Sequence, residues 1–299
     1  MKSRFAINAE YAVIKGLSVA VNLVPYRAAM ALASALGFIA VEILRFNRRR
    51  TLDRIRSVFP EADDREAGRI ALRSFVNILK TGVEMMRSPR LDRAWMERNV
   101  VDGGRYAETL KGLTAEGNGV VVMVPHSGNW YMAAWTMAAY GVNIFSIAAR
   151  QRNPKLDRWM NEHYRGVEIF DRDRRETLIR VKERLRDGGV FALLPDLRVR
   201  RPDVEVDFFG GKANVSHSGA AFAVKCNAPI VVAAMRREGG RHVIVHLATL
   251  RPDPAAKDGK AEATRLTKAV MKILDSEIRS HPGEWFWYNK RWILEPVVV

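Results

Sequence analysis

A histidine that closes a run of branched apolar residues is the first candidate for chemistry in this chain. Val120 to Val124 stop at Pro125, His126 follows at once, and Ser127, Gly128 and Asn129 crowd behind it. An imidazole can take a proton from a hydroxyl near neutral pH. Short apolar runs bounded by Gly and Pro read as buried strands of a parallel sheet. Sites in open α/β sheets lie just beyond the carboxyl ends of such strands, which is where His126 stands. A core or capping histidine would suit the same position, and the small polar residues behind it favour chemistry.

A general-base histidine needs an acceptor on its other ring nitrogen, to fix the tautomer and to stabilise the imidazolium. The residues directly behind His126 (Ser127, Asn129, Tyr131) include no carboxylate. The segment 195–211 leaves the apolar run 190–194 at the same predicted sheet edge and offers Asp196, Glu205 and Asp207. Its arginines, Arg198, Arg200 and Arg201, have the fork that binds phosphate or an oxyanion, unless the segment is a solvated charged loop. Arg150, with Arg152 and Lys155, leaves a third strand end and adds a basic rim. Gly210-Gly211-Lys212 has residue types that cradle phosphate but lacks P-loop spacing. The candidates are therefore His126, Asp196 and Glu205 for catalysis, with Asn129, Tyr131, Arg150, Arg198 and Lys212 for substrate binding.

The elements that must position these groups follow from periodicity. Strands are predicted over 119–124, 143–148, 167–170, 189–194, 229–235 and 242–248. Helices are predicted over 129–140, 153–164, 174–187, 216–226 and 260–280. Strands alternating with helices of this length make β-α-β units, so the fold class is α/β, a central mostly parallel or mixed sheet flanked by helices. Ahead of it, 61–87 is helical by its apolar spacing, with Asp64 a candidate cap.

Residues 9–24 are mostly apolar and end at Pro25, and 28–41 carry no charge. That uncharged core is shorter than the roughly 20 residues that span a bilayer. It reads either as a helical hairpin packed on the domain or as a pair lying in a membrane interface. The arginines that follow, at 45, 48, 49, 50, 54 and 56, favour the interface, since each basic residue near anionic lipid is worth roughly 1 kcal/mol. The expected organisation is a membrane-associating helical region over 1–60 and a catalytic domain over 61–299.

Lys and Arg exceed Asp and Glu by 16 charges, which calls for an anionic partner: nucleic acid, a membrane surface or a phosphorylated substrate. The tail 282–293 interleaves aromatics with cations, a pattern that stacks on bases, sits at a membrane interface or simply covers a core. No recognition helix or RNA-binding motif accompanies it, so nucleic acid is not expected. The single cysteine, Cys226, excludes a disulfide within one chain and reads as a small core residue in a reducing setting. The six histidines show no metal-ligand spacing, and no metal is expected.

With these pieces placed, the chain resembles the lipid A late acyltransferases, which include lauroyl and myristoyl transferases and the phosphatidylinositol mannoside acyltransferases. The likeness rests on Phe46-Asn47-Arg48-Arg49-Arg50, Val58-Phe59-Pro60-Glu61 and His126-Ser127-Gly128-Asn129-Trp130. It continues through Ala149–Asp157, Pro195-Asp196, Val206–Gly211 and the tail Pro282–Trp292. The resemblance implies an O-acyltransferase on the cytoplasmic face of the bacterial inner membrane, peripheral or N-terminally anchored. It implies a donor thioester of acyl carrier protein or coenzyme A, no other cofactor, and a glycolipid acceptor such as a lipid A precursor. The motif histidine, here His126, is the implied general base. The family carries Asp or Glu five residues later, where this chain has Tyr131. A later-loop glutamate of the mannoside acyltransferases points to Glu205 as the partner, with Asp196 as the substitute. Tyr131 also leaves open a non-catalytic, lipid-binding relative.

Overall fold

The computed structural model describes residues 3–199 and 201–296, so Arg200, one of the expected anion-binding arginines, lies outside the described residues. The chain begins with helix α1 (Arg4–Leu23), whose first turn is capped by the Ser3 hydroxyl. Pro25 turns the chain into α2 (Tyr26–Phe38), which runs on as a π-helical turn to Ile43. The uninterrupted helical stretch Tyr26–Ile43 is 18 residues, long and apolar enough by length and composition to cross a membrane, where the uncharged core alone is too short. Arg87 and Arg90 donate to the last carbonyls of α1, at Val24 (2.8 Å) and Asn22 (2.7 Å), placing cations at the negative end of the helix.

Helix α3 (Arg48–Val58) lies within the expected membrane-associating region yet is built into the core, with Leu52, Ile55 and Val58 buried. Arg54, expected to face lipid, is buried as well. It donates to the carbonyls of Trp287 (3.1 Å) and Asn289 (2.6 Å) and lies over the Trp292 ring. Helix α4 (Asp64–Arg87) is capped by Asp63, whose carboxylate accepts the Glu66 N–H at 2.7 Å, so the cap is one residue earlier than expected. After α5 (Arg93–Asn99), β1 (Val100–Val101) and α6 (Gly103–Thr114), the predicted alternation sets in. Its members are β2 (Val120–Met123), α7 (Trp130–Ala139), β3 (Ile144–Ala148), α8 (Pro154–Glu162), β4 (Glu168–Asp171), α9 (Thr177–Arg186) and β5 (Val190–Leu193).

The segment from 195 is only partly loop, because β6 (Val204–Phe208) and β7 (Gly211–Val215) pair as a separate antiparallel hairpin. The chain closes with α10 (Ser218–Cys226), β8 (Ile230–Glu238), β9 (Arg241–Leu250) and α11 (Gly259–Ser280). Seven strands form the main sheet in the order β1-β9-β8-β2-β5-β3-β4, parallel throughout except for β8 with β9. Alternate residues of β2 feed two cores. Val121 and Met123 pack toward α10 and α11, Val120 and Val122 toward α6 and α7. Burial on both faces is why these strands read as continuous apolar runs. The aromatic tail covers the first core, with Trp285, Trp287 and Tyr288 all buried.

Candidate active site

Strands β2 and β5 are parallel neighbours, with Met123 opposite Leu193. Residues at equal distances beyond that pair leave the sheet side by side, and these are His126 and Asp196. Asp196 Oδ1 lies 2.7 Å from His126 Nδ1, and Oδ2 accepts the His126 backbone N–H at 2.7 Å. The Trp285 indole N–H donates to the same Oδ2 at 2.7 Å. Asp196 is fully buried. Burial alone would raise its carboxyl pKa, but the His126 ring and the hydrogen bonds from His126 and Trp285 bring it below the ordinary value. An ionised carboxylate accepts only, so Nδ1 carries a proton, and in the neutral ring the free lone pair is on Nε2. Nε2 has no hydrogen-bond partner among the described residues, and the His126 side chain is 17% exposed.

The backbone behind the ring is clamped. Phe286 N–H donates to the His126 carbonyl (3.2 Å), Gly128 N–H to the Glu284 carbonyl (3.1 Å), and Ser127 bridges Trp285. Gly128 has φ +57°, and a Cβ there would stand 1.9 Å from the Met235 carbonyl oxygen, so the turn requires glycine. On its far side the Gly128 carbonyl accepts from Asn77 (3.0 Å) and Thr81 (3.2 Å) of α4.

Asn129, expected to touch substrate, is fully buried and caps α7 by accepting the Met132 N–H at 3.0 Å. Its amide donates to Glu84 at 2.6 Å. Glu84 is a hub: Arg237 holds both its oxygens (2.8 and 2.5 Å), and it meets Tyr26 Oη at 2.6 Å and His242 Nε2 at 2.9 Å. Burial would raise its carboxyl pKa, but the Arg237 and His242 charges and their hydrogen bonds hold it well below the usual carboxylate range. None of Trp285, Glu84, Arg237 and Tyr26 was expected at the site. The one acid after the first turn in the apolar periodicity of 61–87 was the available signal for Glu84.

The other candidates fall elsewhere. Glu205 lies on β6, opposite Asn214, and is exposed, so Asp196 and not Glu205 meets His126. The β-hairpin alternation turns Val204, Val206 and Phe208 inward and Glu205 outward. Lys212 is exposed on β7 and pairs with Asp207 at 2.5 Å. Arg198 donates to the Pro296 carbonyl at 2.5 Å and pairs with Glu295 at 3.6 Å, anchoring the tail. Arg150 pairs with Asp171 at 2.7 Å and lines a cavity of about 300 Å³ that Tyr164 also borders. Tyr131 stacks on Trp135 (ring centroids 5.8 Å) and lies against Trp130 and Tyr164, and burial raises its hydroxyl pKa. Asn153 joins this edge to the N-terminal helices, capping α8 while donating to the Ile7 carbonyl at 2.9 Å.

The family described as "Bacterial lipid A biosynthesis acyltransferase" matches residues 2–293. This chain belongs to the bacterial lipid A biosynthesis acyltransferase family. The lipid A acyltransferase-family chain is 28% identical over 221 residues to the phosphatidylinositol mannoside acyltransferase of Mycobacterium tuberculosis, a match that covers 71% of this chain and 66% of that protein. The enzyme of the same name from Mycolicibacterium smegmatis is 27% identical over 222 residues, 68% of this chain and 70% of its own. A solved structure, the 1-acyl-sn-glycerophosphate acyltransferase of Thermotoga maritima, aligns over 87% of this chain and 99% of its own, at 16% identity and a TM-score of 0.39. In this family member the motif position after the histidine, Tyr131, sits in the aromatic stack of α7, and the carboxylate on His126 comes from β5.

Proposed function

We propose that this acyltransferase-family protein moves a fatty acyl chain from a thioester of acyl carrier protein or coenzyme A to a hydroxyl of a membrane glycolipid. The observation that carries the reading is the His126–Asp196 pair, which leaves a basic Nε2 at the carboxyl edge of the sheet. His126 Nε2 takes the proton of the acceptor hydroxyl as its oxygen attacks the thioester carbonyl carbon. The tetrahedral adduct collapses with loss of the thiolate, which receives the proton from His126. Asp196 stabilises the imidazolium between those steps and keeps the ring in the productive tautomer. Because Asp196 supplies the acceptor that Tyr131 cannot, the Tyr131 substitution gives no support to a non-catalytic relative.

The acceptor class follows the family and the relatives: a lipid A precursor or a phosphatidylinositol mannoside. Both demand work at a membrane. Phe5, Leu17, Leu23, Leu32, Leu36, Ile43 and Leu44 stand exposed on α1, α2 and the turn beyond them. Each such side chain gains roughly 1.5–3 kcal/mol on full burial away from water, so the N-terminal helices favour the bilayer. Arg45, Arg49 and Arg50 lie exposed beside them and suit the anionic cytoplasmic leaflet of the inner membrane.

The test is direct. Purified protein incubated with labelled palmitoyl thioester and a bacterial glycolipid extract should yield one labelled glycolipid, identified by mass spectrometry. Transfer that continues unchanged in His126→Ala overturns the mechanism.

A further inference from the structure

Behind the Gly128 turn, on the side of α2, lies a larger cavity of about 1150 Å³ that neither His126 nor Asp196 lines. Its lining mixes apolar side chains, Met30 and Phe38 of α2 with Leu72 and Val76 of α4, and cations. The cations are Arg27 of α2, Arg73 and Lys80 of α4, Arg98 of α5 and Arg241 of β9. None of these five cations has an ion-pair partner among the described residues, and all stand exposed except Lys80, which is half-buried. Arg237, at the floor, is held by Glu84. Glu284 is the carboxyl in the lining, and burial pushes its pKa up. Burial, with the neighbouring Arg237 charge, pushes the Lys80 ammonium pKa down against the pull of Glu84 and Glu284.

Such an excess of converging positive charge needs an anion. The shape of the mouth narrows the choice. Phe38 both lines the cavity and is 51% exposed, and Leu32, Leu36 and Ile39 continue the apolar surface along α2. An occupant with phosphate at one end and hydrocarbon at the other meets these cations and the apolar side chains of α2 together. The volume exceeds what a phosphate ion needs and is somewhat above the roughly 300–1,000 Å³ typical of ligand pockets.

We propose that this chamber holds the phosphate headgroup of an anionic phospholipid whose acyl chains run along α2 into the bilayer, as a site separate from the acyl-transfer centre. The proposal rests on the membrane association argued above. The floor of the chamber, Asn77 and Glu284, hydrogen-bonds the Gly128 turn, so a seated headgroup would stand one residue layer behind the catalytic loop.

The full chain in neutral detergent, mixed with phosphatidylglycerol and phosphatidylcholine, should retain one phosphatidylglycerol by native mass spectrometry. Lys80→Gln/Arg98→Gln should cut that retention at least about tenfold, since it removes two converging charges. Arg27→Gln/Arg241→Gln, on other elements, should do the same. Lys268→Gln/Lys272→Gln, at two exposed lysines of α11, removes the same net charge away from the chamber and should leave retention unchanged. Retention undiminished in both chamber variants, or equal retention of phosphatidylcholine, overturns the site. Complete displacement of the lipid by millimolar inorganic phosphate marks a free-anion site and overturns the lipid assignment. Flotation on vesicles reads the membrane association separately: protein that keeps phosphatidylglycerol without floating supports the chamber while removing the membrane reading.

Discussion

Trp285 donates its indole N–H to the same Asp196 oxygen that receives the backbone N–H of His126, each at 2.7 Å. One buried carboxylate thus joins the His126 loop, the carboxyl end of β5 and the C-terminal tail. Asp196→Asn puts an amide N–H or a weaker neutral acceptor at Nδ1, and transfer should fall by about 10²–10⁴, with His126→Ala at least as low. Glu205→Gln should stay within about twofold of the parent, because Glu205 is exposed on the hairpin. Initial rates with labelled thioester distinguish the three. A loss in Glu205→Gln matching that of Asp196→Asn would reverse the assignment.

Trp285→Phe keeps the aromatic bulk and removes one donor from a fully buried carboxylate. The unsatisfied lone pair should lower stability by about 1–3 kcal/mol. Urea unfolding at neutral pH measures it, and a variant as stable as the parent would mean the indole N–H carries nothing.

Glu84→Gln leaves the Arg237 guanidinium buried without its counter-charge and should cost about 3–5 kcal/mol at pH 7. The pH dependence follows from the depressed pKa of this carboxyl. Its folded pKa lies below its unfolded one, so its stabilisation is fully present above about pH 5 and is lost as pH falls through the folded value. The gap between the unfolding free energies of parent and variant should therefore begin to narrow as pH falls from about 5 toward 3. A constant gap across that range would refute the linkage.

Gly128→Ala sets a methyl 1.9 Å from a backbone oxygen at φ +57°. Side-chain rotation cannot relieve a backbone clash, so either β8 or the His126 loop must shift. A stability loss of about 3 kcal/mol and near-complete loss of transfer are expected. Thermal unfolding and initial rates check both.

Leu32→Glu/Leu36→Glu changes two exposed side chains of α2, so the unfolding free energy in detergent should move by no more than about 0.5 kcal/mol per site. Flotation with anionic vesicles should drop sharply. Flotation equal to the parent would place the membrane contact elsewhere.

The alternating elements of the sheet were legible because a strand buried on both faces is apolar throughout, and the observed strands fall within a few residues of the predicted ones. The pairing of β2 with β5 was not legible, and that register alone decides between Asp196 and Glu205. Local period-two alternation at Val204, Val206 and Phe208 was present, but the charges between them made the segment read as loop. Arg54 reads as one more member of a basic cluster, since nothing in its neighbourhood announces that the tail will pass over it with free carbonyls. Helix α4 shows its apolar stripe openly. The role of Glu84 depends on partners up to 158 residues away.

The hydroxyl of Tyr26, in the first turn of α2, reaches the same Glu84 that holds Asn129 behind His126. Trimming the chain ahead of residue 47 to obtain a readily soluble fragment would therefore remove more than greasy surface. It would strip a donor from a fully buried acid, take away the carbonyls that accept from Arg87 and Arg90, and unroof the basic chamber. The N-terminal helices are a wall of the fold, and whoever shortens this protein for crystallisation should expect a loosened His126 loop in place of a minimal one.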